Sequence, residues 1–137
     1  MNKNELVDFL NLMLESERAG AKVLAAFMDR YERNSDIWRS LRQIKKDEAN
    51  NCKLLSNEIK RLGGQPSSRT GEFFDKAIAI DDNNERLIFL NRGQGWVAKK
   101  LREAVDNVTV TETRELIRAM IDSHVENIDL CNTYIKQ

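Results

Sequence analysis

The sequence has few of the residues that break helices. It contains one proline, Pro66, and six glycines, most of which lie in the stretches 63–71 and 93–95. Because helices tolerate proline and glycine least, the long stretches elsewhere are free to be helical. No stretch approaches the roughly 18 uninterrupted apolar residues of a membrane span, so we predict no membrane helix.

Histidine and cysteine are also scarce, which limits the chemistry available to the chain. A hydrolytic triad would have to use the only histidine, His124, and no serine-elbow motif accompanies it. The two cysteines, Cys52 and Cys131, are too few for a disulfide framework at this size. Helical rise separates them by about 16 Å along the helix axis, whereas a disulfide tolerates ~7 Å between Cα atoms. We therefore predict two free thiols.

The chain lacks an excess of either charge. Lysine and arginine together number 22, and so do aspartate and glutamate. A chain without net charge has no overall attraction to nucleic acid or to an anionic membrane, so we predict neither partner. Acidic residues interrupt the first apolar run, so we also predict no signal peptide and a cytoplasmic location.

The sequence does have enough apolar residues for one packed domain. Of its 137 residues, 41% are hydrophobic and 32% are charged, which favours a single globular domain over residues 1–137. Four segments repeat apolar residues every three or four positions, the spacing of one helix face. The predicted helices span residues 3–32, 36–62, 83–106 and 110–136.

The boundaries between these segments predict how the helices connect. A glycine pair followed by Pro66 should end the second helix, and residues 63–82 then form a long connection with a short amphipathic piece at 73–78. Thr109 and Glu112 have the spacing of a capping box that opens the fourth helix. Two helical hairpins joined by about twenty residues predict an all-α, antiparallel four-helix bundle of the ferritin-like kind, with one long crossover between helices 2 and 3.

Each predicted helix has one polar residue in the middle of its apolar face. These residues are Glu17, Glu48, Gln94 and His124. Each lies about 14 to 17 residues from the turn of its own hairpin, and at ~1.5 Å rise per residue all four fall near one level. Because buried polar groups are costly unless they are paired or bound to something, we predict that the four side chains meet in a site.

This set resembles the ligands of carboxylate-bridged dimetal bundles. Those proteins use one Glu from each of two helices and a Glu-x-x-His motif from each of the other two. Glu17 and Glu48 match the glutamates of the first two helices. Asn51 stands where the second helix should have histidine, and Gln94 replaces the glutamate of the third. The fourth helix keeps a histidine, His124, but lacks the glutamate of its motif.

Longer segments are similar to a bacterial family of uncharacterised ferritin-like domains. The segments are LESERAGAKVL, DEANNC, RLGGQPSSRTGEFF, RLIFLNRGQGWV and HVENI. The resemblance covers nearly the whole chain and implies the ferritin-like fold. It implies no particular reaction.

Counting ligands leaves two functions open. A full dimetal site has four carboxylates and two imidazoles, and this chain keeps two carboxylates and one imidazole. The first hypothesis is a ferritin-like bundle with a degenerate dimetal site, which serves as a binding or structural module for an unidentified small molecule or protein. The alternative is a mononuclear iron or manganese protein with redox or oxygen chemistry at Glu17, Glu48 and His124.

Two simpler explanations of the polar residues also stay open. His124 can be a core histidine with satisfied hydrogen bonds, and Arg92 can pair with Glu17 or Glu48 and fill the site with an ion pair. The acidic residues beside the inward positions are expected to be solvated; these are Glu15, Asp47, Asp122 and Glu126.

The apolar part of the long connection, together with Trp38 and Trp96, predicts self-association as a homodimer. Exposed apolar surface on a neutral protein is typical of a contact surface, and two-fold pairing is the commonest arrangement of soluble homo-oligomers. The alternative is that Phe73, Phe74 and Ile78 fold back over the helices of their own chain.

Overall fold

The computed structural model describes residues 1–137 and contains five α-helices and no strand. The helices are α1 (Lys3–Met28), α2 (Asp36–Arg61), α3 (Phe73–Ile78), α4 (Asn83–Val105) and α5 (Thr111–Asn132). The prediction of an all-helical chain is confirmed. None of the five helices combines the length and the apolar character that crossing a membrane requires.

Side-chain caps begin three of the four long helices. Asn2 accepts from the backbone N–H of Glu5 in a capping box, Ser35 caps α2, and Asp82 caps α4. The predicted capping box at Thr109 and Glu112 is wrong. The residue before α5 is Val110, whose side chain cannot accept a hydrogen bond, so α5 begins without a side-chain cap.

Two of the predicted helix ends lie too far along the chain. α1 ends at Met28 rather than at 32, and α5 ends at Asn132 rather than at 136. Tyr31 and Ile135, which follow these ends, still pack against the apolar core from turn conformations. Burial therefore repeats with helical spacing beyond the last helical residue, and for this reason both predicted helices were too long.

Residues from opposite ends of neighbouring helices share the same apolar cluster, which gives the helix directions. The start of α1 packs with the end of α2, and the end of α4 packs with the start of α5. α1 also contacts α4, and α2 contacts α5. Each long helix therefore lies antiparallel to two others. α2 ends at one end of the molecule and α4 begins at the other, so residues 62–82 run along the length of the molecule.

The apolar interior consists of two clusters, one near each end of the long helices. One contains Leu10, Leu55, Leu101 and Ile117, and the other contains residues such as Phe27. Between the two clusters every long helix contributes buried polar residues. These are Glu17 on α1, Glu48 and Asn51 on α2, Gln94 on α4, and His124 and Asn127 on α5.

The connection between α2 and α4 packs along its own chain. Phe73 of α3 stacks on Phe89 of α4 with ring centroids 4.8 Å apart, and Lys22 of α1 lies 4.8 Å from the centroid of the Phe74 ring. Arg86 of α4, which is buried, donates to the backbone carbonyls of Ile78 (3.0 Å) and Ile80 (2.5 Å). Phe73 and Phe74 are thereby half-buried within the chain, whereas Ile78 stays exposed.

Both cysteines are free thiols, as predicted. Cys52 is half-buried beside the first cluster and Cys131 is buried in the second. Burial raises the pKa of the Cys52 thiol to about 11 and that of Cys131 to about 12. Neither thiol is therefore a nucleophile at neutral pH, because the thiolate is the reactive form.

Candidate functional site

The four polar residues predicted to meet line one cavity. Glu17, Glu48, Gln94 and His124 are each at most 3% exposed, and each belongs to a different long helix. The cavity has a volume of about 490 Å³ and extends from these residues to the crossover segment beside α3. This volume lies within the range of small-molecule sites in proteins.

Glu17 holds the imidazole of His124 from the opposite side of the interior. Glu17 Oε1 contacts His124 Nε2, and Glu17 Oε2 accepts from Asn51 Nδ2 at 3.4 Å. A carboxylate can only accept, so Nε2 carries the proton in this contact. His124 Nδ1 is then the remaining ring atom, and it is buried without a partner.

Glu48 is the second buried carboxyl group, and its Oε2 has no hydrogen-bond partner. Burial, and then the neighbouring Glu17, raise the pKa of Glu48 well above its usual range. Gly20 of α1 gives this carboxyl group its space, because a Cβ atom there would lie 2.8 Å from Glu48 Cδ. Any side chain at position 20 would therefore displace Glu48.

A short hydrogen-bond chain fixes the orientation of Gln94. Asn91 Nδ2 donates to the backbone carbonyl of Ile128 (3.2 Å) and to Oδ1 of Asn132 (2.9 Å). Because the carbonyl can only accept, the opposite atom of Asn91 is its oxygen, and this oxygen accepts from Gln94 Nε2 at 3.2 Å. The unpartnered atom of Gln94 is therefore Oε1, an acceptor.

Aromatic and aliphatic side chains form the wall of the cavity. Phe73, Phe89 and Trp96 all line it, together with Leu12. Gly93 allows Phe73 to sit against α4, because a Cβ atom there would lie 2.6 Å from the Phe73 ring. The sequence predicted packing or an interface for Trp96, whereas the structure places its ring, 42% exposed, in the wall of the cavity.

The structure does not show the alternative in which Arg92 forms an ion pair with Glu17 or Glu48. Arg92 lines the cavity but is exposed, and no carboxylate lies within ion-pair distance of it. The partner of Glu17 is His124 instead. Of the acidic neighbours, Asp122 and Glu126 are exposed and Asp47 is half-buried, whereas half-buried Glu15 lines the cavity.

Sequence reasoning missed one buried residue of this region, Asn127 of α5. Its Nδ2 has no hydrogen-bond partner, and it is 4% exposed. The signal was its spacing, since residue 127 lies three positions after His124 and so shares its helix face. The prediction favoured Ile128 for that face because Ile128 is apolar.

The polar residues do not fit the ligand set of a dimetal centre. No group of three His, Cys, Asp or Glu side chains has the arrangement of a metal site. Asn51 directs its amide nitrogen, rather than its oxygen, at Glu17. His124 uses Nε2 for the carboxylate of Glu17, which leaves Nδ1, Glu48 Oε2 and Gln94 Oε1 as separate unpartnered acceptors.

Comparison with protein families extends over almost the entire chain. The model of one family, described as Domain of unknown function (DUF6306), matches residues 4–133. The chain belongs to this family. The match runs from the first turn of α1 to the residue after α5, so the whole cavity lies within the DUF6306 domain. No curated protein matches the chain.

Proposed function

We propose that this DUF6306 domain is a ferritin-like, antiparallel four-helix bundle with a degenerate dimetal site, and that it serves as a small-molecule binding protein. The cavity of about 490 Å³ is the observation that carries the proposal. It joins an apolar wall to a few buried polar groups, which is the usual composition of a ligand site.

The helix arrangement supports the ferritin-like part of the proposal. Each long helix lies antiparallel to two neighbours, and one connection travels the length of the molecule between the two hairpins. A single long crossover of this kind distinguishes ferritin-like bundles from up-down-up-down bundles.

The buried polar residues support a binding role over a purely structural one. Three buried polar atoms, on Glu48, Gln94 and His124, have no hydrogen-bond partner within the protein. Unsatisfied buried polar groups cost about 1–3 kcal/mol each. A ligand that supplied donors would recover this free energy, whereas a structural module would gain from replacing these residues with apolar ones.

A mononuclear iron or manganese site at Glu17, Glu48 and His124 is the second candidate. It is favoured by one observation: Glu17 holds the Nε2 side of His124 and leaves Nδ1 without a partner, as carboxylates do beside metal-bound histidines. A metal ion bound there would supply redox chemistry. The side chains of Glu48 and His124 would have to move together to hold it.

Tryptophan fluorescence tests the binding function directly, because only one of the two tryptophans lines the cavity. We expect fragments of ligand size to change the emission of a Trp38→Phe variant, which retains Trp96. The matched Trp96→Phe variant should lose the response. Absence of any fragment binding at millimolar concentration would contradict the proposal.

Elemental analysis separates the two candidates. Protein purified without chelators or metal-affinity resin should contain far less than one equivalent of iron or manganese, and neither Mn²⁺ nor Fe²⁺ should raise its melting temperature. About one equivalent of either metal per chain would favour the second candidate.

The homodimer stays a prediction. The apolar side chains that remain exposed are scattered over the helices, among them Leu12, Leu54, Ile78 and Val125. Light scattering at micromolar concentration decides the question, since a mass near 15.8 kDa would contradict the dimer.

A further inference from the structure

The inner end of the cavity is a set of hydrogen-bond acceptors that lack donors. Glu48 Oε2 and Gln94 Oε1 are buried and unpartnered, and both residues line the cavity. His124 Nδ1 is the third such atom, and it is an acceptor in the neutral imidazole because Nε2 carries the proton toward Glu17. Each of these residues is at least 97% buried, so bulk water does not readily satisfy them.

The outer part of the cavity has a different character. Phe73, Phe89 and Trp96 provide aromatic surface, and Leu12 adds aliphatic surface. Aromatic rings stabilise apolar groups by burial and cations by their negative faces. A molecule with an apolar or aromatic body therefore fits the outer part.

We propose that the cavity binds a primary organic ammonium compound, with its ammonium group at the acceptors of Glu48, Gln94 and His124 and its apolar body against Phe73 and Trp96. This inference rests on the proposed binding function and specifies the chemical class of the ligand. An ammonium group has three N–H donors and no acceptor, so it is the kind of group that these acceptors lack, and the side chains of Glu48 and His124 would have to move together for one ammonium group to reach both.

The charges of the inner end select a cation over other ligands. Glu17 and Glu48 supply two carboxyl groups there, against the single imidazole of His124. A ligand carboxylate or phosphate would meet acceptors and like charge, whereas a hydroxyl group would satisfy one acceptor and leave Glu48 without a positive partner.

The cavity mouth does not supply this selectivity. Its charged residues are Glu15, Glu72, Lys76 and Arg92, two of each sign, and Lys76 lies 3.8 Å from Glu72. Because these charges balance, attraction at the mouth is weak for ions of either sign. Discrimination between a cation and a neutral molecule therefore belongs to the buried residues.

Three probes of one shape test the inference. 2-Phenylethylammonium, 2-phenylethanol and 3-phenylpropanoate share an aromatic body and differ in the charged or polar end group. We expect calorimetric titration to show the ammonium compound binding at least about tenfold more tightly than the alcohol, and the carboxylate binding most weakly. Mn²⁺ is the fourth titrant and should not bind.

Two variants locate the selectivity within the cavity. Glu48→Gln keeps the shape of the side chain but cannot ionise beside a bound cation. We therefore expect it to weaken the binding of the ammonium compound about tenfold or more and to leave the binding of the alcohol nearly unchanged. Glu126→Gln, at an exposed position of α5 outside the cavity, is the control for the loss of one carboxyl group and should change neither affinity by more than about twofold. Circular dichroism of both variants shows whether the fold is retained.

The outcomes separate this inference from the binding function. Equal or tighter binding of 2-phenylethanol or 3-phenylpropanoate would overturn the ammonium inference and leave the binding function intact. An equal loss of affinity for the ammonium compound in Glu126→Gln and Glu48→Gln would overturn the placement of the ammonium group. Binding of Mn²⁺ without binding of the ammonium compound would overturn the inference in favour of a metal site.

Discussion

Two buried glutamates on α2, ten positions apart, have opposite surroundings. Glu58 accepts from Arg61 Nε at 2.6 Å, from Arg61 Nη2 at 2.8 Å and from the hydroxyl of Thr113. Glu48 has an oxygen with no partner. The pKa of Glu58 is lowered, chiefly by its hydrogen bonds to Arg61, whereas burial raises the pKa of Glu48.

The comparison distinguishes a structural carboxylate from one that is available to a ligand. Glu58 joins α2 to α5 through Thr113, so the bonding capacity of its carboxylate is used within the fold. Glu48 costs free energy in the folded chain and stabilises nothing that the structure contains. Residues kept in such a state are characteristic of functional sites.

The largest effect is expected when a third carboxylate, Glu17, loses its partner. His124→Leu would leave Glu17 buried with only the long hydrogen bond from Asn51, so we expect a loss of about 3–5 kcal/mol in the free energy of unfolding. Urea denaturation measures it. The double variant Glu17→Gln/His124→Leu should recover much of the loss, and a loss below about 1 kcal/mol for the single variant would show that Glu17 does not depend on His124.

Removing a donor from Glu58 should have a smaller effect. Thr113 is 0% exposed, and Thr113→Val preserves its shape while removing the hydroxyl that Glu58 accepts. We expect unfolding to become easier by about 1–3 kcal/mol, since a buried acceptor loses its donor. Thr109→Val, at an exposed position, is the control and should change stability by less than about 0.5 kcal/mol. Equal losses of stability in Thr113→Val and Thr109→Val would contradict the structural role assigned to Glu58.

The pH dependence of stability distinguishes the two glutamates most finely, because their effects have opposite signs. An unfolded Glu titrates near ~4.3. As pH rises above that value the unfolded chain ionises residue 48 before the folded chain does, so Glu48 makes the protein progressively less stable up to its raised pKa. Glu48→Gln should therefore gain stability over the natural chain as pH rises above ~4.3.

Glu58 should show the reverse. Its lowered pKa contributes stability above ~4.3 that is lost as pH falls through the folded value, so Glu58→Gln should cost most at neutral pH and least in acid. Urea unfolding at several pH values between 3 and 8 gives both curves. If the free energy of unfolding depended on pH in the same way in both variants, the distinction between the two glutamates would be wrong.

The helices and the polar residues between the cores were predictable because both are periodic features. Glu17, Glu48, Gln94 and His124 occupy apolar-face positions, and their similar distances from the turns place them near one level. Periodicity reports burial, however, and not backbone conformation. It therefore extended α1 through Tyr31, which is packed but lies in a turn.

The details of the site depend on contacts between distant residues, which periodicity does not contain. No local pattern around Arg86 indicates that its guanidinium binds carbonyl groups at and just after the end of α3. The orientation of Gln94 depends on Asn91 and the carbonyl of Ile128. The cavity itself depends on where the crossover settles, and no local pattern within residues 62–82 specifies that position.

The origin of the site residues has a consequence for how the molecule opens. Glu17 and Glu48 belong to the hairpin of α1 and α2, whereas Gln94 and His124 belong to the hairpin of α4 and α5. The helices contact each other more extensively within each hairpin than between the two hairpins. Separation of the two hairpins would therefore break the contact between Glu17 and His124 and dismantle the site without breaking the contacts inside either hairpin.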